Sequence, residues 1–436
     1  MSGSWQNWSG RLEAQPTQIL APATTAEVGT AVKTAAHAGQ RVKVGGSGHS
    51  FSEIGVPDGA LLRMTELAGL IDIDPASGLV TVEGGMPLHI LNPLLAAHGL
   101  ALENMGDIDR QTITGAISTG THGTGVRFGG MATQVRALEL VLADGSTVQC
   151  SARERPDLFS AARVGLGALG VITKVTLQCV PAYALHVIEE ARPLDDVLAE
   201  IESLVDDNDH FEFFWFPHTK TALTRRCNRL PADTPLRPTS ALHERIVDDF
   251  LTNTALESLL RVGTRFPRAV PPITRVVTAA ISSRDAIDLS HKVFASRRDV
   301  RFNEGEYAFA REHVVDTLRE IEHWVDSHDE KVAFPLEVRF VASDDIPLAP
   351  TSGRTSAYIA FHQYHRMPYQ RYFDAMEAVF AAVDGRPHWG KMHSLDAAAL
   401  RSRYPRFDEF VSLRNELDPT GVFANPYLDR VLGAVS

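Results

Sequence analysis

The chain has 436 residues, of which 44% are apolar and 22% charged; that composition excludes a disordered chain, and at roughly 150 residues per domain it suits two or three domains. Lys and Arg number 42 and Asp and Glu 54, a net charge of −12 that repels phosphate backbones and argues against nucleic acid as a partner. Cys150, Cys179 and Cys227 show neither CxxC nor metal-ligand spacing, the N-terminus lacks a secretion signal, and no stretch approaches the roughly 20 apolar residues of a membrane helix; the expectation is a cytoplasmic protein with, at most, contact at a membrane surface.

In chain order, apolar spacing predicts a helix over 25–38, a short strand over 41–44 that runs into Gly45-Gly46-Ser47-Gly48, a strand over 79–83 and a helix over 88–97. Residues 138–142, the turn Asp144-Gly145 and residues 147–149 read as a hairpin, and 171–177 as a further alternating strand. Beyond about residue 180 the texture changes. An aromatic strand is expected over 211–216, helices over 311–326 and 368–383, and strands over 332–341 and 358–364; residues 228–275 are rich in proline and arginine and give no clear element order. The class expected is α+β, with one domain followed by a second built on a larger antiparallel sheet.

The sharpest motif is Val44-Gly45-Gly46-Ser47-Gly48-His49-Ser50-Phe51. A strand entering successive glycines turns its N–H groups inward and admits a ligand closely, which suits a pyrophosphate. It is not the Rossmann fingerprint, because Phe51 stands where the last glycine belongs. A glycine-rich turn alone is as readily structural. Two more follow, however: Gly115-Ala116-Ile117-Ser118-Thr119-Gly120-Thr121-His122-Gly123-Thr124-Gly125, with hydroxyls interleaved, and Gly165-Leu166-Gly167-Ala168-Leu169-Gly170. Three such loops before residue 175 point to a domain dedicated to a large phosphate-bearing cofactor. Residues 385–392 mimic a P-loop, but Met392 replaces its hydroxyl and Pro387, His388 and Trp389 crowd it, so triphosphate hydrolysis is rejected.

His362, His365, His388 and His393 are checked for metal binding; their spacing makes no ligand motif and no metal is expected. In Leu336-Glu337-Val338-Arg339-Phe340, period two sends Glu337 and Arg339 to one face, where Phe334, Leu336 and Phe340 are expected to join them. A carboxylate and a guanidinium on a partly apolar face suit the orientation of a polar substrate; the plainer reading is a solvated ion pair.

Together, the GSGHSF loop, the GAISTGTHGTG loop, the GALGVIT turn, the Glu-Val-Arg strand and the HWGK segment resemble the aldonolactone and sugar-alcohol oxidases of the vanillyl-alcohol-oxidase flavoprotein superfamily, with the branch acting on L-gulono- and D-arabinono-1,4-lactone the nearer. The resemblance spans about residues 8–432. It implies a two-domain FAD enzyme: an FAD-binding domain over 1–180, a substrate or cap domain over 181–380, and a segment over 381–436 returning to the first. It implies a covalent link from FAD to His49, and flavin contacts at Val44, Gly45, Gly46, Ser47, Gly48, Ser50, Phe51, Gly106, Thr112, Gly115, Thr119, Gly120, Thr121, His122 and Ile172. Asp107 stands where sugar-alcohol oxidases carry serine, which favours a lactone over a linear polyol, and Gly106 is expected to leave open space beside the ring. Arg339 and Lys391 would stabilise a developing alkoxide, Glu337 would orient the substrate, His388 and His362 are alternatives for the hydroxyl proton, and Tyr364 would face the substrate. Oxygen or a cytochrome or quinone would take the electrons. A peroxide-forming polyol oxidase, a non-catalytic flavin-binding subunit and a metal hydrolase are the competing functions.

Overall fold

The computed structural model describes residues 3–239, 255–296 and 299–435. Three short strands, β1 (Gln18–Leu20), β2 (Val42–Gly45) and β3 (Ala60–Arg63), form a parallel sheet in the order β1-β3-β2. β1 and β2 flank β3, and the chain passes from one to the other through α1 (Thr25–His37). The Thr24 side chain caps this helix by accepting from the Glu27 N–H at 3.1 Å, while Val28, Val32 and Ala35 pack on Val42 and Leu62.

A second, antiparallel sheet comprises β4 (Leu70–Asp74), β5 (Leu79–Glu83), β6 (Val135–Val141), β7 (Thr147–Ser151) and β8 (Val171–Gln178), in the order β7-β6-β8-β5-β4. Burial alternates strictly along β8, as its sequence requires. Helices α2 (Leu88–Ala97) and α3 (Ile113–Ser118) share its core.

The third sheet has eight strands: β9 (Tyr183–Pro193), β10 (His210–Trp215), β11 (Thr221–Pro231), β12 (Arg284–Leu289), β13 (Phe302–Ala310), β14 (Leu336–Val341), β15 (Ser356–Tyr364) and β16 (Arg386–Pro387). Its order is β12-β9-β11-β10-β14-β15-β13-β16, antiparallel throughout. One face is apolar: Phe211, Phe213, Trp215, Leu336, Val338, Phe340, Ile359, Phe361, Tyr307 and Phe309 lie under α4 (Val314–Ser327) and α5 (Gln370–Ala381). The other face carries Glu212, Glu304, Glu306, Glu337, Arg339 and His362, all buried.

Two expectations are corrected here. Leu336 and Phe340 lie with Val338 in the apolar core, not beside Glu337 and Arg339, since residues of equal parity share a face. Within 228–275, β11 continues to Pro231, and helices run over Ala255–Arg265 and Val270–Ala279; residues 240–254 lie outside the described residues.

The last segment joins the glycine turn to the large sheet. β16 pairs with β13, the Phe51 N–H donates to the Gly390 carbonyl at 2.6 Å, and the Val42 N–H donates to Val422 at 2.7 Å. The Asn425 amide donates to the carbonyls of Glu53 and Val56.

Three histidines set an acid limit, His210 and His388 buried and His393 half-buried. Burial pulls His210 down to about 4, and His388 and His393 to about 3. The unfolded chain therefore binds more protons below about pH 6.5, and each ring removes about 1.4 kcal/mol of stability per pH unit from there down to about pH 4. Urea midpoints should fall steadily from pH 7 to 5; a flat profile would show that these rings protonate without penalty.

Candidate active site

Two hollows meet at His49. The first is a groove of about 380 Å³ between the β2 turn, residues 112–119 and the 166–172 turn. Glycine is required where the chain doubles back: Gly48 has φ +74°, and a Cβ on Gly46 would stand 3.1 Å from the Thr112 hydroxyl, which also caps α3 by accepting from the Gly115 N–H at 3.2 Å. Val44, Gly45, Gly46, Ser47, Gly48, His49, Ser50, Thr112, Gly115, Thr119 and Ile172 all line this groove.

The second hollow, about 460 Å³, has the polar face of the large sheet as one wall and Trp8, His49, Ser50, Phe51, Gly106, Asp107, Gln111, Thr119, Thr121, His122, His388 and Lys391 around it. Cross-strand register builds its charge pattern. Glu212 on β10 is paired directly with Arg225 on β11 and with Arg339 on β14; its carboxylate meets Arg225 at 2.9 Å and the Arg339 Nε at 3.0 Å. The Arg339 guanidinium also contacts Glu337 and lies 3.6 Å from Asp107. Glu304 on β13 is opposite His362 on β15 and accepts from the Lys391 Nζ at 2.5 Å. Ala360 lies opposite both Glu337 and Glu306, so a small side chain separates two carboxylates.

Electrostatics follow from this packing. Burial opposes the charge of Arg339, but Glu337, Glu212 and Asp107 outweigh it and hold the guanidinium firmly protonated. Lys391 is likewise raised, burial being overcome by Glu304 and Glu306. Burial would push Glu304 up, yet Lys391 and His362 bring it to about 2. Glu306 is also held low against burial, chiefly by His122. The cavity is therefore a lattice of fixed charges, not a neutral polar pocket.

Histidine tautomers are set by their neighbours. The His388 Nδ1 accepts the Gly390 N–H at 3.0 Å, so its proton sits on Nε2 and the ring is a donor. Burial, lowering His388 to about 3, keeps it neutral. His362 donates from Nδ1 to the Pro335 carbonyl at 3.0 Å and presents Nε2 to Glu304 at 3.2 Å; it stands behind Glu304, off the cavity wall. Neither ring is placed as a free base. His122 donates from Nδ1 to Gly123 at 2.8 Å, faces Glu306 at 3.2 Å and stacks on Tyr358. Burial and the nearby Lys391 bring His49 down to about 4, leaving a neutral imidazole stacked against Trp8 at 5.8 Å.

A profile of the D-arabinono-1,4-lactone oxidase family matches residues 175–431, and one of an FAD-binding domain matches residues 16–151. The chain belongs to this lactone oxidase family. It is 45% identical to the L-gulono-1,4-lactone dehydrogenase of Mycobacterium tuberculosis over 99% of this chain and 100% of that one. It is 36% identical to the L-gulonolactone oxidase of Mus musculus over 98% of each, and 34% identical to an alditol oxidase of a Streptomyces species over 99% of this chain and 100% of that one. The fold is that of a cholesterol oxidase from B. sterolicum, with TM-score 0.85 and 19% identity over 99% of this chain and 97% of the other. Family members bind FAD, and the groove fits it: a Cβ on Gly46 or Gly115 would crowd the Thr112 hydroxyl at 3.1 and 2.9 Å, so glycine keeps this wall free of side chains, and the buried Lys43 is among the lining residues.

Against the family pattern, Glu337, Arg339, Lys391, His388, Asp107 and His49 converge on one cavity. Three expected residues reach neither hollow. Tyr364 donates to Glu257 at 2.6 Å and packs with Leu260, Val300 and Met367. Gly120 has φ +78° and ends α3, its N–H donating to Ile117. His362 acts through Glu304. Gly106 lines the cavity, and a Cβ there would stand 3.1 Å from the His122 carbonyl and the Thr121 methyl. Nor do the four screened histidines assemble; His388 instead lies with His122 and Glu306, one ligand-capable atom of each within 4.8 Å of the others.

Glu304, Glu306 and Glu212 escaped the sequence reading. The signal was present in Asn303-Glu304-Gly305-Glu306, two acids at strand period within an apolar frame, but two glutamates around a glycine read as a loop until cationic partners are known. No helix among the described residues is long and apolar enough to cross a membrane.

Proposed function

We propose that the chain oxidises a sugar 1,4-lactone of the L-gulono or D-arabinono type with bound FAD, giving a 2-keto lactone that tautomerises to an ascorbate-like enediol. The observation that supports this most is a single cavity in which Arg339, Lys391, Glu337 and Asp107 face the mouth of the glycine-lined groove at His49. FAD, when bound, supplies the hydride acceptor; residues 44–50, Thr112, Gly115, Thr119 and Ile172 would hold it, with Phe51, Gly106, Thr121 and His122 on the ring side. Arg339 and Lys391 place two fixed cations where alkoxide charge develops. Glu337 and Asp107, both within reach of the Arg339 guanidinium, orient substrate hydroxyls. The His388 Nε2–H donates to a substrate oxygen. Phe51, Trp8 and Phe302 give the cavity an apolar side that excludes water from the reacting carbon.

The decisive experiment follows flavin bleaching under nitrogen with L-gulono-1,4-lactone, D-arabinono-1,4-lactone and xylitol, then reoxidation by air or by a cytochrome. Bleaching by the lactones is expected. Bleaching by xylitol alone would replace this reading with a polyol oxidase, and rapid recolouring in air would assign oxygen as the acceptor.

We also infer a covalent histidyl link at His49, since a neutral imidazole at the junction of groove and cavity is a competent nucleophile toward an activated flavin methyl. Acid precipitation should leave the yellow colour in the pellet, and His49→Ala should release it to the supernatant. Colour retained in that variant would place the link elsewhere. The division at about residues 180 and 380, and a cytoplasmic setting suited to three buried thiols, belong to the same reading.

A further inference from the structure

Lys43 is a buried cation with no role in the chemistry above. It lies on β2 between Val42 and Val44, whose side chains pack with the α1 core, and period two turns it the other way. There it lines the groove with Gly45, Gly167 and Ile172. It is 5% exposed, and its ammonium reaches the Phe423 carbonyl at 3.4 Å, a long contact for a charged donor. Two charged groups act on it from neighbouring elements. Arg41 disfavours the charge and Asp429 favours it, but Asp429 is already held by Arg41 at 3.0 Å. An ammonium so placed is costly until an acceptor arrives.

The groove supplies the place for one. Gly167 has φ +66°, and a Cβ there would stand 4.0 Å from the Lys43 Nζ, so the amine lies against the 166–170 turn where only backbone intervenes. Lys43 lines the groove but not the cavity beyond His49.

We propose that Lys43 is a cofactor-binding residue, its ammonium serving as buried counter-charge and hydrogen-bond donor to the ADP half of FAD. This rests on the FAD reading above. Because burial, reinforced by Arg41, brings the amine down to about 7, a diphosphate entering the groove draws a proton onto it, and affinity weakens as pH rises through and above 7.

The test uses the full-length chain made under riboflavin limitation and titrated with ADP-ribose, which carries the pyrophosphate diester but cannot form a covalent link. Between pH 7 and 9 the dissociation constant should rise, approaching tenfold per pH unit. Lys43→Met should bind at least tenfold more weakly at pH 7 and with a flat profile. Lys43→Arg should bind at pH 7 without the slope. An unchanged affinity and slope in Lys43→Met overturns the proposal, as does a flat parental profile. Should Lys43→Met fail to fold, judged by its circular dichroism, a slope that persists in Lys43→Arg overturns it instead. A parent that binds no ADP-ribose, and is colourless from riboflavin-replete cells, removes the FAD reading together with this proposal.

Discussion

Arg339→Met is expected to lower kcat by roughly 10²–10³-fold while leaving flavin content near that of the parent. The magnitude is that of removing one pre-placed donor from a developing oxyanion. Arg339 sits on β14 within the large sheet, apart from the groove, so flavin retention has no direct dependence on it. The substitution also strips a cation from Glu337 and Glu212, both buried. Glu212 keeps Arg225, but removing a buried cation that both carboxylates share is destabilising, so a lower unfolding midpoint should accompany the lost rate. Arg339→Lys should recover part of the stability and little of the rate, because a single ammonium has no planar fork with which to address Glu212, Glu337 and Asp107 together. Stopped-flow bleaching of the flavin under nitrogen measures the step directly. Bleaching at the parental rate in Arg339→Met would remove this residue from the mechanism.

Lys391→Met should reduce the bleaching rate by about 10²-fold, through a different set of contacts. Its ammonium bonds Glu304 and lies 5.1 Å from the centre of the Phe51 ring, which carries it from the β13 wall towards the groove mouth. Two roles are separable by a double-mutant cycle. If Lys391 only neutralised Glu304, pairing Lys391→Met with Glu304→Gln would restore both stability and rate. The expected result is that stability returns and the rate does not, because the cation that faces the substrate is still missing. Recovery of the rate in the double variant would make Lys391 structural. Since Glu304 and Glu306 hold Lys391 protonated, its loss should give a rate defect that does not change between pH 6 and 9.

What the residues declare by themselves is local. The glycine turn at 45–48, the helix over 88–97 and the alternating strand from Val171 are each set by conformational freedom or by the period of apolar side chains, which neighbours in the chain suffice to define. The common face of Glu337 and Arg339 follows from the same period. Which strands would lie beside β14 does not, because backbone pairing is indifferent to how far apart in sequence two strands are. Tertiary structure alone therefore brought Glu212 against Arg339, set Glu304 opposite His362 and beneath Lys391, and turned the Tyr364 hydroxyl to Glu257. Acids that look solvated in isolation became interior once cations from distant segments neutralised them, and long-range electrostatics of that kind has no signature in a window of sequence.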